Sequence, residues 1–228
     1  MIYPKIGFSR KKKLPCLWFT DKTYSPHKIF SLLEKGYSWT ILDMNKEKDY
    51  MRIKHREGFE FFSDLYYGNL IINEWCDWKK AYFMPFSLKG KTILDVGAGC
   101  GETAFFFFVN GAEKVICIEK QEKLLKYLLK NKNYNNWNLK VVIDSFNLGY
   151  LNLDFDLAKI DIEGNERELL NTEIDFPLCL EVHNKKLEEE FAKRGFKKVW
   201  KMNEDVSVMN NYENIEKIRN VMIYKYCK

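Results

Sequence analysis

The chain has 228 residues, is 46% hydrophobic and 16% aromatic, and carries a net charge of +5 with charged residues at 30%. That is enough apolar material for one full domain plus an appendage, or one enlarged domain; the charges are too dispersed for a disordered chain, and no apolar run approaches the ~18 residues of a membrane span. The six cysteines (Cys16, Cys76, Cys100, Cys117, Cys179, Cys227) form no CxxC pair and the histidines number three, His27, His55 and His183, so the expectation is a reducing, cytoplasmic setting with neither a disulfide framework nor a metal centre.

The positive charge is localised. Lys5, Arg10, Lys11, Lys12 and Lys13 meet no acid among the first 13 residues. Such an arm either touches phosphates, as on RNA, or is a solvated terminus, and it lacks the apolar core and cleavage site of a secretory signal. Ser25–Lys35 reads as a helix, capped by Ser25 with Pro26 at its first position. Trp39–Met44, Asp49–Lys54 and Phe59–Phe62 are short, partly alternating runs with turn-like links, the pattern of a small antiparallel β element. Asn69–Phe83 reads as a helix leading onward. Its Glu74, Trp75 and Trp78 either pack in a core or cover a ligand. Residues 1–88 are therefore expected to form an α+β extension, and residues 89–228 the main domain.

Lys91–Lys120, KTILDVGAGCGETAFFFFVNGAEKVICIEK, organises that domain. The apolar run Thr92–Val96 contains Asp95; the turn Gly97-Ala98-Gly99-Cys100-Gly101 follows; Thr103–Val109 is strongly apolar; Val115–Ile118 ends on Glu119, with Lys120 beyond. Strand, tight turn, helix, strand and a terminal acid make a unit suited to a nucleoside cofactor. Glycines permit the turn and a close approach, the helix start offers free N–H groups, and the acid can accept hydrogen bonds from a ribose diol. Two registers fit. From Gly99 the turn reads Gly-x-Gly-x-x-Ala, a dinucleotide fingerprint that implies NAD. From Asp95 it reads Asp-x-Gly-x-Gly-x-Gly, which resembles motif I of class I S-adenosylmethionine (SAM) methyltransferases. Asp95 separates the two, because a carboxylate attracts a sulfonium and an ammonium and repels a pyrophosphate. A turn with no ligand at all would make the position of Glu119 a coincidence. Asp95, Gly97, Ala98, Gly99, Gly101, Glu119 and Lys120 are the candidate cofactor residues.

Beyond Lys91, strand and helix alternate regularly. This predicts an α/β domain of Rossmann-like type, a doubly wound, mostly parallel seven-stranded sheet with helices on both faces. Phe105–Phe108 make the first helix apolar nearly all round, so it is buried. Gln121–Asn131 is the next helix, with Leu124, Leu125 and Leu128 inward. Leu139–Ile143 is the third strand. Asp144 and Ser145, just past it, are candidates for the adenine amine, and Asp144 equally suits a turn. The link from Asp144 to Asp154 shows no convincing helix, yet its ~36 Å reach exceeds the ~14 Å crossover it must make. Phe155–Ile162 is the fourth strand, with Asp161 and Glu163 two apart at its carboxyl end and so on one side. A short helix over Asn165–Asn171 precedes the fifth strand, Phe176–His183, which ends with Glu181 and His183. Lys185–Arg194 is an amphipathic helix stopped by Gly195. Phe196–Met202 and Val221–Tyr226 are expected to close the sheet as an antiparallel pair.

Two of these segments, Lys159-Ile-Asp161-Ile-Glu163-Gly164-Asn-Glu166 and Leu180-Glu181-Val-His183, resemble the FkbM-like branch of class I methyltransferases. With Asp95-Val-Gly97-Ala-Gly99 the resemblance covers about residues 90–200. It implies a SAM-dependent methyltransferase, most often acting on hydroxyl oxygens of sugars or small natural products and releasing S-adenosylhomocysteine (SAH). Cys100 departs from the Asn common in that family, and residues 1–60 have no counterpart. On this reading Asp161 lies beside the methionine moiety, while Glu163 or His183 takes the acceptor's proton or orients it, with Glu181 as a partner of His183. RNA is an alternative acceptor, through the basic arm and the aromatics of Trp75–Phe86. Two further readings stand outside the class. An NAD-dependent oxidoreductase is weakened by Asp95 and by the absence of a Tyr-x-x-x-Lys pair after the sheet's middle strands, and a non-catalytic nucleotide-binding module would have no need of the acids at the strand ends.

Overall fold

The computed structural model describes residues 5–9, 14–18, 39–55, 58–68, 71–72, 87–162, 165–201 and 221–225. The chain forms two compact units, Met1–Asp77 and Trp78–Lys228. The predicted helix over 25–35, the basic residues 10–13, and Glu74, Trp75, Trp78 and Glu163 lie outside the described residues, as does the helix predicted over 69–83 apart from residues 71–72, which are helical.

In the first unit β1 (Lys5–Ser9) and β2 (Leu14–Trp18) pair antiparallel. A separate antiparallel meander follows, β3 (Trp39–Asn45), β4 (Tyr50–His55) and β5 (Glu60–Ser63). Alternation sets its faces: Met51, Ile53 and His55 of β4 are buried, and Lys54 between them is exposed. The β3–β4 turn closes at Asp49, whose left-handed φ of 45 an Asp tolerates and whose N–H donates to the Lys46 carbonyl at 3.2 Å.

In the second unit the strands are β6 (Thr92–Val96), β7 (Lys114–Glu119), β8 (Leu139–Ile143), β9 (Leu157–Ile160), β10 (Leu178–Val182), β11 (Lys197–Lys201) and β12 (Val221–Lys225). They lie in the order β11-β12-β10-β9-β6-β7-β8. Strands β6 to β10 are parallel, and β12 runs antiparallel between β10 and β11. The helices are α1 (Glu102–Val109), α2 (Glu122–Asn135) and α3 (Lys185–Lys193). Leu94, Val96, Ile116, Ile160 and Leu180 are buried to 3% exposure or less, as parallel strands covered on both faces require. α1 buries Phe105, Phe106 and Phe107, while Phe108 stacks on Trp137 with ring centres 5.5 Å apart.

The chain leaves β6 for β7 and β8 on one side, then crosses to β9 on the other. That reversal opens a crevice at the carboxyl end of β6, where such sheets bind ligands. One element ends earlier than the sequence reading. The fourth strand ends at Ile160, so Asp161 lies just past it, its N–H still donating to the Val96 carbonyl at 3.1 Å. The short helix expected after it is present, Glu166–Asn171, and is of 3-10 type. Six residues are too few for a stable α-helical ladder, and Thr172 N–H closes the last turn on Leu169 at 3.3 Å. The β8–β9 crossover likewise carries only a 3-10 turn, Leu148–Asn152.

Candidate active site

The turn after β6 occupies the crevice. Gly97 and Gly99 have φ of +73 and +54. At Gly97 a Cβ would collide with the Asp161 carbonyl, so this glycine lets the turn lie directly against the chain leaving β9. At Gly99 it would collide with the Glu102 carboxylate. Ala98 is fully buried, and its N–H donates to the Ile118 carbonyl at 3.3 Å. Cys100 is buried too, its carbonyl accepting from Asn131 Nδ2 at 2.9 Å, which makes it a packing residue.

Glu119, at the tip of β7, reaches back to this turn. Its Oε2 accepts from Gly99 N–H at 2.9 Å and its Oε1 from Gln121 N–H at 2.8 Å. Each oxygen keeps a second lone pair. Lys120 beside it is exposed. Glu102, the first residue of α1, folds its carboxylate under the turn, accepting from Cys100 N–H at 2.9 Å. Burial pushes its carboxyl up to about 8, with Asp95 adding to the rise and two backbone N–H groups and Lys159 opposing it.

Asp95 is fully buried beneath the turn and accepts from Thr103 Oγ1 at 2.5 Å. Lys159, 1% exposed, comes in from β9: its Nζ lies 3.6 Å from Asp95 and 3.8 Å from Asp161, and donates to the Val96 and Gly97 carbonyls at 3.3 and 3.2 Å. Burial raises the Asp95 carboxyl against the pull of Lys159 and Thr103. Burial alone would lower the Lys159 ammonium, but Asp95, Asp161, Glu181 and Glu102 together drive it up. The two partners thus both shift upward. Lys159 holds its proton, because four carboxylates act on it and only one lysine acts on Asp95. Asp95 Oδ1 and Asp161 Oδ1 are buried without a hydrogen-bond partner.

His183 stands just past β10. Its Nδ1 lies 2.6 Å from Oε1 of Glu166, which is fully buried, and its Nε2 lies 3.7 Å from both Asp161 Oδ1 and Glu181 Oε1. An open cleft of about 590 Å³ adjoins the ring, lined mainly by Asn165, Glu166, Arg167, Asn171, His183 and Asn184. Asp144 is exposed at the end of β8; it accepts from the N–H of Ser145 at 2.7 Å and from the Tyr150 hydroxyl, whose own proton that bond helps to hold. Ile143 beside Asp144 is 66% exposed.

The structure thus gathers Asp95 and Glu119 around the turn that holds Gly97, Ala98, Gly99 and Gly101, and places Asp161 between that turn and His183. Glu163 is outside the described residues. Sequence reasoning missed four groups. Lys159 and Glu166 stood inside the quoted motif as unassigned letters, though a lysine in an apolar strand is itself a sign of a buried pair. Thr103 and Glu102, eight and seven residues past Asp95, gave no signal beyond lying at a helix start.

Rossmann-like topology, with its crevice at β6 and this glycine turn, is the fold of class I methyltransferases. The protein SMU.776, assigned as a methyltransferase and solved in complex with SAH, superposes with a TM-score of 0.51 at 12% identity, covering 81% of this chain and 58% of that one. No family model matches the chain. Protein 158B of Sulfolobus islandicus rod-shaped virus 1, itself uncharacterized, is 32% identical over 108 residues, which are 46% of this chain and 67% of that protein. The chain belongs to the family of that viral protein. Uncharacterized protein 65 of the Sulfolobus islandicus filamentous virus is 37% identical over 103 residues, 43% of this chain and 63% of its own. The chain thus spans about two thirds of the length of these curated relatives.

Proposed function

We propose that this protein is a SAM-dependent methyltransferase that methylates a hydroxyl oxygen of a sugar or a small hydroxyl-rich molecule. The observation that carries the reading is the charge of the crevice. Asp95, Glu119 and Asp161 converge there with one lysine, Lys159, acting on Asp95 and Asp161, while Glu102, whose carboxyl is pushed up to about 8, adds no charge at neutral pH. A cationic ligand is favoured in such a field and a pyrophosphate is disfavoured, which argues against NAD. The residues fit SAM on two counts. The second lone pairs of Glu119 suit a ribose diol, and the unpartnered, buried Oδ1 of Asp161 suits a cation or a donor.

SAM, when bound, supplies a methyl group already activated on a sulfonium. The protein's share is to position the acceptor and take its proton. With Nδ1–H donated to Glu166, Nε2 presents a lone pair to the same space as Asp161 Oδ1 and Glu181 Oε1. Among the described residues these acceptors face one another, and an acceptor O–H supplies a donor to them. His183 Nε2 would take that proton as the oxygen accepts the methyl group and the methyl–sulfur bond breaks with its electron pair left on sulfur, and the carboxylates around the resulting imidazolium would stabilise it.

Cleft chemistry favours a hydroxyl-rich acceptor over a nucleobase. Among the described residues its lining combines amides, carboxylates, one guanidinium and the His183 imidazole, and includes no phenylalanine, tyrosine or tryptophan on which a base could stack. The test is transfer of labelled methyl from SAM to a panel of mono- and oligosaccharides, with a parallel RNA arm. Labelled sugar that disappears in His183→Gln supports the reading. Labelled RNA with unlabelled sugars overturns the acceptor class, and no transfer to hydroxyls in any arm overturns the activity.

A further inference from the structure

The contact between His183 and Glu166 has a consequence for which atom of the ring does chemistry. Glu166 sits at the first position of the 3-10 segment after β9, is fully buried, and meets Nδ1 at 2.6 Å. With Glu166 ionised its carboxylate can only accept, which puts the proton on Nδ1 and leaves the lone pair of the neutral ring on Nε2. A contact this short between an imidazole and a carboxylate also favours the charged ring.

We propose that Glu166 is the positioning residue of the site: it locks His183 in the Nδ1–H form, aims Nε2 at the gap beside Asp161 and Glu181, and raises the proton affinity of the ring. Its place in catalysis rests on the methyltransferase reading; the proton arrangement does not. Among the described residues, the other charged groups near the ring act in the same direction or from further off. Asp161, past β9, and Glu181, on β10, both stand 3.7 Å from Nε2. Lys159 faces Asp161 at 3.8 Å and offsets part of its charge. Arg167 and Glu168 share the cleft wall with opposite signs, while Asn184 and Leu187 at the start of α3 bring none. Glu166 differs from all of these in being fully buried and in direct contact.

Nuclear magnetic resonance on the cofactor-free protein tests this, since the chain has three histidines. His183 is assigned by its loss in His183→Gln, and the other two rings report whether each variant keeps its fold. In the wild type the ring nitrogens should show a protonated Nδ1 and an unprotonated Nε2 in the neutral form, with a titration midpoint above the ordinary histidine value of about 6.5. Glu166→Gln keeps an acceptor and removes the charge: the midpoint should fall by about one unit or more while Nδ1 stays protonated. Glu166→Leu removes both, and the Nε2–H form should gain population. A wild-type ring protonated on Nε2, or a midpoint unmoved in Glu166→Gln, overturns the proposal; the latter variant decides the matter if Glu166→Leu fails to fold. Because no cofactor is present, a protein that passes this test and binds no SAH would sink the function while leaving Glu166 in its role.

Discussion

Replacing Glu102 with Gln should flatten the dependence of stability on pH and stabilise the protein on the alkaline side. Glu102 is 6% exposed, and its carboxyl is pushed from 4.5 to about 8, chiefly by burial. In the unfolded chain the proton leaves near 4.5; in the folded protein it stays to about 8. Between those values the native state binds more protons than the unfolded one, so stability falls as pH rises. The contribution is whole below 4.5 and gone above about 8. At ~1.36 kcal/mol per unit the loss is about 3 kcal/mol by neutral pH and about 5 kcal/mol in all. Gln can still accept from Cys100 N–H and carries no charge to desolvate. Urea unfolding of both proteins, from about pH 5 to pH 8.5 at fixed ionic strength, reads the difference directly. The stabilities should nearly coincide at the acid end and part by several kcal/mol at the alkaline end. A constant gap across the range would mean that Glu102 is ionised throughout and that the account of the turn is wrong.

Other substitutions probe the same framework. Gly97→Ala forces a side chain against the Asp161 carbonyl, whereas Gly90→Ala, at a similar φ of +71, meets nothing within 4 Å; the first should cost at least about 2 kcal/mol more than the second in denaturant unfolding. Lys159→Met strips the buried carboxylates of their cation and should cost about 3–5 kcal/mol, part of it recovered in the double variant with Asp95→Asn. Thr103→Val leaves Asp95 without its 2.5 Å hydrogen bond and should cost about 1–3 kcal/mol, read as a lower thermal midpoint.

Legibility in the sequence followed the range of the interactions. The five parallel strands were visible because each is a short apolar run bounded by turn chemistry. The glycine turn was visible because glycines and acids at fixed spacing have few other uses. The meander of β3 to β5 showed through its alternation. Contacts across the sheet did not show. Asp95 and Lys159 sit opposite each other on adjacent strands, β6 and β9, a pairing fixed by topology and not by spacing. Glu166 and His183 are 17 residues apart and meet because the 3-10 segment folds back over the end of β10. Glu181 was foreseen as the partner of His183, and it does approach Nε2, but the short contact belongs to Glu166. The short helix near Asn165–Asn171 shows in its composition, and its brevity gives it 3-10 geometry.

The central claim is that the crevice at β6 holds SAM through Glu119 and the turn above Asp95. Calorimetric titration of the full chain with SAH, with NADH in parallel, tests it most directly. The account predicts a saturable heat with SAH, none with NADH, and loss of the SAH signal in Glu119→Ala with the fold intact by circular dichroism. Heat with NADH and none with SAH would contradict it, as would SAH binding that Glu119→Ala leaves unchanged.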